Sequence, residues 1–210
     1  MPDIAEHPNT DRTRVLPRVV VVLAASLLLG GLTFFAQGWL PEALTSFANS
    51  ASGWTLLTVL LVYGARASTV LSSVLGAVSF VLLVLGYTWT AALMGLFYSP
   101  VLFGVVGVVV GPFVGAAAAW LRSRSQWRIA SAVALVAGIG IGEGGYGLTW
   151  IAETTSPVYW VLIASAGAAL LIGVAIRRLR EPGALAIAVV GTAGVAIAFN
   201  LAYRALGGIG

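Results

Sequence analysis

Apolar runs of eighteen residues or more recur from one end of this chain to the other, and no other feature restricts its fold as strongly. Hydrocarbon offers no water to the backbone, so a run of that length crosses a bilayer as a helix, which satisfies its own polar groups. The alternating ten-residue segments of a membrane β-barrel do not occur. Of 210 residues, 60% are hydrophobic and 9% charged, against about a quarter charged in soluble domains. The mean hydropathy is +1.01. The fold class read from this is all-α: a polytopic transmembrane helix bundle, with a polar tail over 1–15 and one membrane domain over 16–210.

Seven apolar segments can be drawn, over 16–38, 41–64, 68–93, 100–121, 129–152, 157–176 and 183–206. The second is the weakest. Its first half, TSFANSASG, is polar for a lipid-facing helix. It reads either as a full span or as a half-span leading into a shorter helix, which would leave six full spans. Irregular backbone there has to be buried in protein or line a wet cavity.

All eleven basic residues are arginine. Ten fall in the tail and in the loops after segments two, four and six, and only Arg204 falls on the other side. By the positive-inside rule the N-terminus is expected in the cytoplasm, in a bacterial plasma membrane. Arg12, Arg14 and Arg18 before VVVVLAASLLLGGL resemble the start of a signal peptide. The apolar run continues through TFFAQGW without a small-residue cleavage pattern, so an uncleaved first helix is expected.

Composition excludes several chemistries. There is no cysteine, and the only histidine, His7, lies in the tail. Thiolate or histidine catalysis inside the bundle is thereby removed, as are zinc and bis-histidine haem sites. One carboxylate, Glu143, lies inside an apolar run, whereas Glu42 and Glu153 lie in loops, so no intramembrane carboxylate pair is available. No catalytic residue, metal or cofactor is expected, and the chain is read as a non-enzyme. The pI near 10.0 comes from loop arginines that form no basic face, so nucleic acid is not an expected partner.

Two helix-packing patterns stand out. Gly107, Gly111 and Gly115 repeat every four residues along one helix face, with Pro112 between them as a kink. In the fifth segment Gly138, Gly142, Gly145 and Thr149 share a face. Glu143, Tyr146 and Trp150 fall nearly opposite, where Gly140 and Gly147 would leave space around the carboxylate.

Glu143 lies roughly 21 Å along a span of about 30 Å, counted from Ile129 at ~1.5 Å per residue. A carboxylate there costs at least about 2.5 kcal/mol unless it is paired or faces the bundle interior. Polar and aromatic residues gather at the same level. They suggest an outward-facing pocket walled by Trp54, Tyr146 and Trp150, with Asn49 and Asn200 hydrogen bonding and Arg204 as counter-ion. Such a pocket would bind or transport a small cationic or aromatic solute recognised by Glu143. Two other uses stay open: a structural contact from Glu143 to Arg204 or Asn200, and a proton or cation relay. Trp39, Trp89 and Trp160 read as an interfacial belt. Besides the lipid bilayer and the solute, expected partners are a transporter coupling subunit or a second copy of the chain. The alternative function is a membrane scaffold or assembly subunit docking through its glycine faces.

The runs VGPFVGAAAAWLR and AGIGIGEGGYG resemble a family of small multi-pass proteins from high-GC Gram-positive bacteria that carries a domain-of-unknown-function label. The resemblance implies a membrane location and carries over no functional residue. In size and pocket composition alone the chain is also similar to the S-components of energy-coupling-factor vitamin transporters. Their small-residue docking pattern on the first helix is not matched by VVLAASLLLGG.

Overall fold

The computed structural model describes residues 9–207, and His7 lies outside them. The elements are α1 (Asn9–Trp39), a 3₁₀ helix (Glu42–Asn49), α2 (Ala51–Ala65), α3 (Thr69–Leu93), α4 (Val101–Trp120), α5 (Gln126–Trp150), α6 (Pro157–Arg178) and α7 (Pro182–Gly207). All but α2 and the 3₁₀ helix are long and apolar enough to cross a membrane. The protein is a membrane-embedded helical bundle.

The half-span alternative for 41–64 is the one realised. α2 has 15 residues, roughly 22 Å at ~1.5 Å per residue, short of the ~30 Å of hydrocarbon. The polar stretch ahead of it forms the 3₁₀ helix, and the chain breaks at Ser50, which is extended at φ −121°, ψ 152°. The 3₁₀ helix and α2 together make the second crossing, so the chain still passes across the bundle seven times. Ala48 and Ser50 at the break are buried, as irregular backbone in hydrocarbon has to be. α2 buries Ser52, Trp54, Thr55, Thr58, Val59 and Val62 on one side, while Leu56, Leu60 and Tyr63 face outward.

Glycines set the architecture. α3 packs on α1 and α4, and α5 packs on α6 and α7, giving two trios that meet where α4 packs on α5, with α2 lying chiefly on the first trio and reaching α5 of the second. A Cβ on Gly30 of α1 would collide with the Leu83 carbonyl oxygen of α3, and one on Gly115 of α4 with that of Ser72. The backbones therefore touch, and dispersion over the whole contact replaces the hydrophobic drive that lipid cannot supply. Gly107, Gly111 and Gly115 all face α3, as their spacing suggests.

The fifth segment behaves differently from the expected two faces. Gly138 and Gly142 do pack on α7, against Val195 and Ala196, but Gly145 has open space around it. Gly140, Gly144 and Gly147 leave no room around the carboxylate. They admit α6, with Gly147 lying against the Trp160 ring and Gly144 against Ala164. Trp160 is accordingly buried, with its indole N–H donating to Thr155 Oγ1 at 2.8 Å, rather than standing in an interfacial belt. Trp39 and Trp89 are exposed.

At the arginine-bearing end, Arg122 donates to the carbonyl oxygens of Tyr63 (2.6 Å) and Ala67 (3.0 Å), and Arg178 to those of Leu121 and Ser123, both at 2.7 Å. Tyr63 and Leu121 lie at the C-terminal ends of α2 and α4, where carbonyls lack an intrahelical partner, and Ala67 and Ser123 lie in the loops that follow.

Adjacent glycines of α5 give a direct test of this packing. Gly144→Ala is expected to lower thermal stability by about 1–3 kcal/mol through overpacking against α6. Gly145→Ala should be neutral or stabilising by up to about 1 kcal/mol, because only helix propensity changes. Melting curves of the two purified variants check the pair.

Candidate functional site

The break at Ser50 leaves the start of α2 inside the bundle, where the first N–H groups of a helix have no intrahelical partner. Each of them is satisfied. Ala51 N–H donates to Glu143 Oε1 at 2.7 Å and Ser52 N–H to Oε2 at 2.6 Å. Gly53 N–H donates to Ser50 Oγ at 3.0 Å, and Trp54 N–H closes the first helical bond to the Ser50 carbonyl at 3.1 Å. Tyr159 Oη of α6 lies 2.7 Å from Ser50 Oγ and 2.9 Å from Ser52 Oγ. Glu143, 3% exposed, is thus the cap of a helix remote from its own. Its negative charge sits at the positive end of the α2 dipole, and Arg122 sits at the negative end.

This corrects the expected pocket centre. Both Glu143 oxygens are engaged by backbone N–H groups, and Glu143 is not among the residues lining the apolar cleft beside α2. Arg204 is no counter-ion to it: its guanidinium lies 4.9 Å over the ring of Trp150, which is 55% exposed and walls no pocket with Trp54. Asn200 Nδ2 donates to the carbonyl oxygens of Gly142 (2.8 Å) and Ala196 (3.0 Å), pinning α7 to α5. Tyr146 packs edge-on against Tyr203.

Trp54 and Asn49 do face a cavity. An apolar cleft of about 390 Å³ lies at the seam between the two trios, within the usual range for small-molecule pockets. α2 and α5 form its floor, and α4 and α7 its two sides. Trp54 is fixed there by its indole N–H donating to the Ala48 carbonyl at 3.2 Å, and by Phe80 and Phe103 at ring distances of 6.0 and 5.9 Å. Tyr98, in the loop before α4, closes one end, and burial together with nearby Tyr87 pushes its phenol up to about 12. It therefore stays a neutral donor. On the other side of the 3₁₀ helix an open polar vestibule of about 940 Å³ is lined by Glu42, Glu153 and several hydroxyl groups. Asn49 borders both spaces.

A family model matches residues 9–208. The chain belongs to the family of unknown function DUF6518. This accords with the resemblance carried by the glycine-rich runs of the fourth and fifth segments. No curated protein and no solved structure matches the chain, and the looser likeness to S-components is not shown.

Sequence reasoning missed the roles of Ser50, Ser52, Tyr159, Thr55 and Tyr203. Ser50 before an apolar run carries the ordinary N-cap signal. The pairing of that cap with a carboxylate more than ninety residues away leaves no local trace.

Glu143→Gln keeps one acceptor oxygen and turns an amide donor toward a backbone N–H. It is expected to cost about 2–3 kcal/mol, the upper range for a hydrogen bond to a charged group. Arg204→Gln, which removes an exposed cation–π contact, should cost no more than about 1 kcal/mol. Equilibrium unfolding of both variants in one detergent decides between them.

Proposed function

We propose that this protein is a non-enzymatic membrane component that binds a small apolar or aromatic solute in the cleft between α4 and α7. The observation that carries the reading is the cleft itself: about 390 Å³ enclosed by Trp54, Phe80, Phe103 and Phe199. Its entrance is lateral. Phe113, at the edge of the cleft, is 64% exposed on a helix face that meets lipid, so a solute dissolved in the bilayer enters without crossing water. Glu143 serves this site indirectly, by holding α2 and therefore Trp54 in place. The solute is accordingly apolar rather than cationic. By the arginine distribution, the cleft belongs to the outer leaflet of a bacterial plasma membrane.

The scaffold alternative has less support. The glycine faces that would dock a partner, Gly107 to Gly115 and Gly138 to Gly142, are filled by α3 and α7 of the same chain.

Photolabelling in lipid nanodiscs with an alkane bearing a diazirine tests the reading. Wild-type label is expected to concentrate on peptides covering 103–113 and 195–203. Val106→Trp, which fills the cleft, should remove most of it. Val105→Trp, on the exposed face of the same helix, should not. Label spread evenly over all lipid-facing helices, unchanged in Val106→Trp, would overturn the proposal.

A further inference from the structure

The cleft is apolar along most of its length, yet it contains polar side chains that make no hydrogen bond among the described residues. Thr55 is 4% exposed and lines the cleft, and its hydroxyl has no hydrogen-bond partner among the described residues. Among the other buried hydroxyls, Ser26 and Ser79 lie 2.7 Å apart and Thr192 donates to the Ala188 carbonyl at 2.6 Å, whereas Thr58, one turn further along α2 and outside the cleft lining, also lacks a partner among the described residues. Tyr98 and Tyr203, which also line the cleft, likewise make no side-chain hydrogen bond among the described residues, and neither does Asn49 at the rim. Thr55 is buried and Tyr98 and Tyr203 are part-buried, and a cleft onto which three hydroxyls open without a protein partner is matched to a ligand that supplies the missing bonds.

Their placement along the cleft is also ordered. Asn49, Tyr98 and Tyr203 lie at the aromatic end of the bundle, and Thr55 follows one turn after the start of α2. Val110, Phe113, Leu135 and Val195 line the deeper part and offer no polar side-chain group. From Phe103 to Phe113 the α4 wall extends roughly 15 Å at ~1.5 Å per residue, half of the ~30 Å hydrocarbon thickness. The cleft therefore has the polarity profile and the length of one leaflet. None of its lining residues is charged, so an ionised head would be desolvated there without compensation.

We infer that the ligand is a single-chain amphiphile with a neutral hydrogen-bonding head, such as an alcohol, ester or amide. The head sits between Thr55, Tyr98 and Tyr203, and one hydrocarbon chain lies along α4 and α7 toward the bilayer centre. This rests on the cleft being a binding site, and it names the chemistry that the site selects.

The test is competition against the alkyl diazirine label in nanodiscs, using 1-dodecanol, dodecane, dodecanoate and dodecyltrimethylammonium. In the wild type, 1-dodecanol is expected to displace label at about tenfold lower concentration than dodecane, the difference one hydrogen bond makes. The two ionic compounds should be weaker than the alcohol. Thr55→Val, which keeps the shape and removes the hydroxyl, should abolish the advantage of the alcohol while leaving dodecane unchanged. Tyr203→Phe serves as a second variant of the same kind. Equal competition by dodecanol and dodecane would overturn the inference and leave the cleft as an apolar site. Stronger competition by either ion would overturn the neutral head. Failure of every compound to displace label would instead remove the binding reading itself.

Discussion

A helix that begins inside a membrane must find partners for its first N–H groups, and the rest of this bundle is arranged around that requirement. Glu143 meets it for α2 from a different helix, with help from Ser50 and Tyr159. Arg122 meets the complementary requirement at the other end of the same helix. One short helix is thus held by a carboxylate at its positive end and a guanidinium at its negative end, in the sense the peptide dipoles favour. The cost of placing a charge in hydrocarbon is offset by two backbone hydrogen bonds that replace those the carboxylate would make to water.

The broken crossing gives the two trios something to close on besides each other. Within each trio, glycine brings backbones into contact and leaves little space, as Gly115 against Ser72 and Gly144 against Ala164 illustrate. Between the trios the fit is looser, and the spaces lie there: the apolar cleft on one side of the second crossing and the polar vestibule on the other. α2 lines the cleft, and the 3₁₀ helix ahead of it lines the vestibule. Trp54 hangs from α2 into the cleft, and Asn49 ends the 3₁₀ helix where the two spaces meet.

Much of this was legible in the sequence. Hydropathy located the spans to within a few residues, the polar stretch TSFANSASG marked the crossing that breaks, and the four-residue glycine repeat in α4 marked a real contact. Glu143 was recognised as a residue needing a partner, but the partner was not recognisable. Its hydrogen bonds go to backbone N–H groups, which every residue possesses, so no side-chain complement to a carboxylate exists to be found. The same limit applies to α5, where glycines on several faces serve α6, α7 and, at Gly145, neither. Periodicity identifies a face and leaves its occupant open. Thr55 was overlooked for the opposite reason, since a threonine in an apolar helix ordinarily bonds to its own backbone.

The central claim is that Glu143 holds the start of α2 in place, and amide hydrogen exchange tests it most directly. Exchange is to be followed in nanodiscs for the wild type and Glu143→Ala. The account predicts faster exchange in peptides covering the 3₁₀ helix and the first turn of α2, with α1 and the arginine-bearing end of α5 unchanged. Protection around Ala51 and Ser52 that survives loss of the carboxylate would contradict it, because those N–H groups would then have partners other than Glu143.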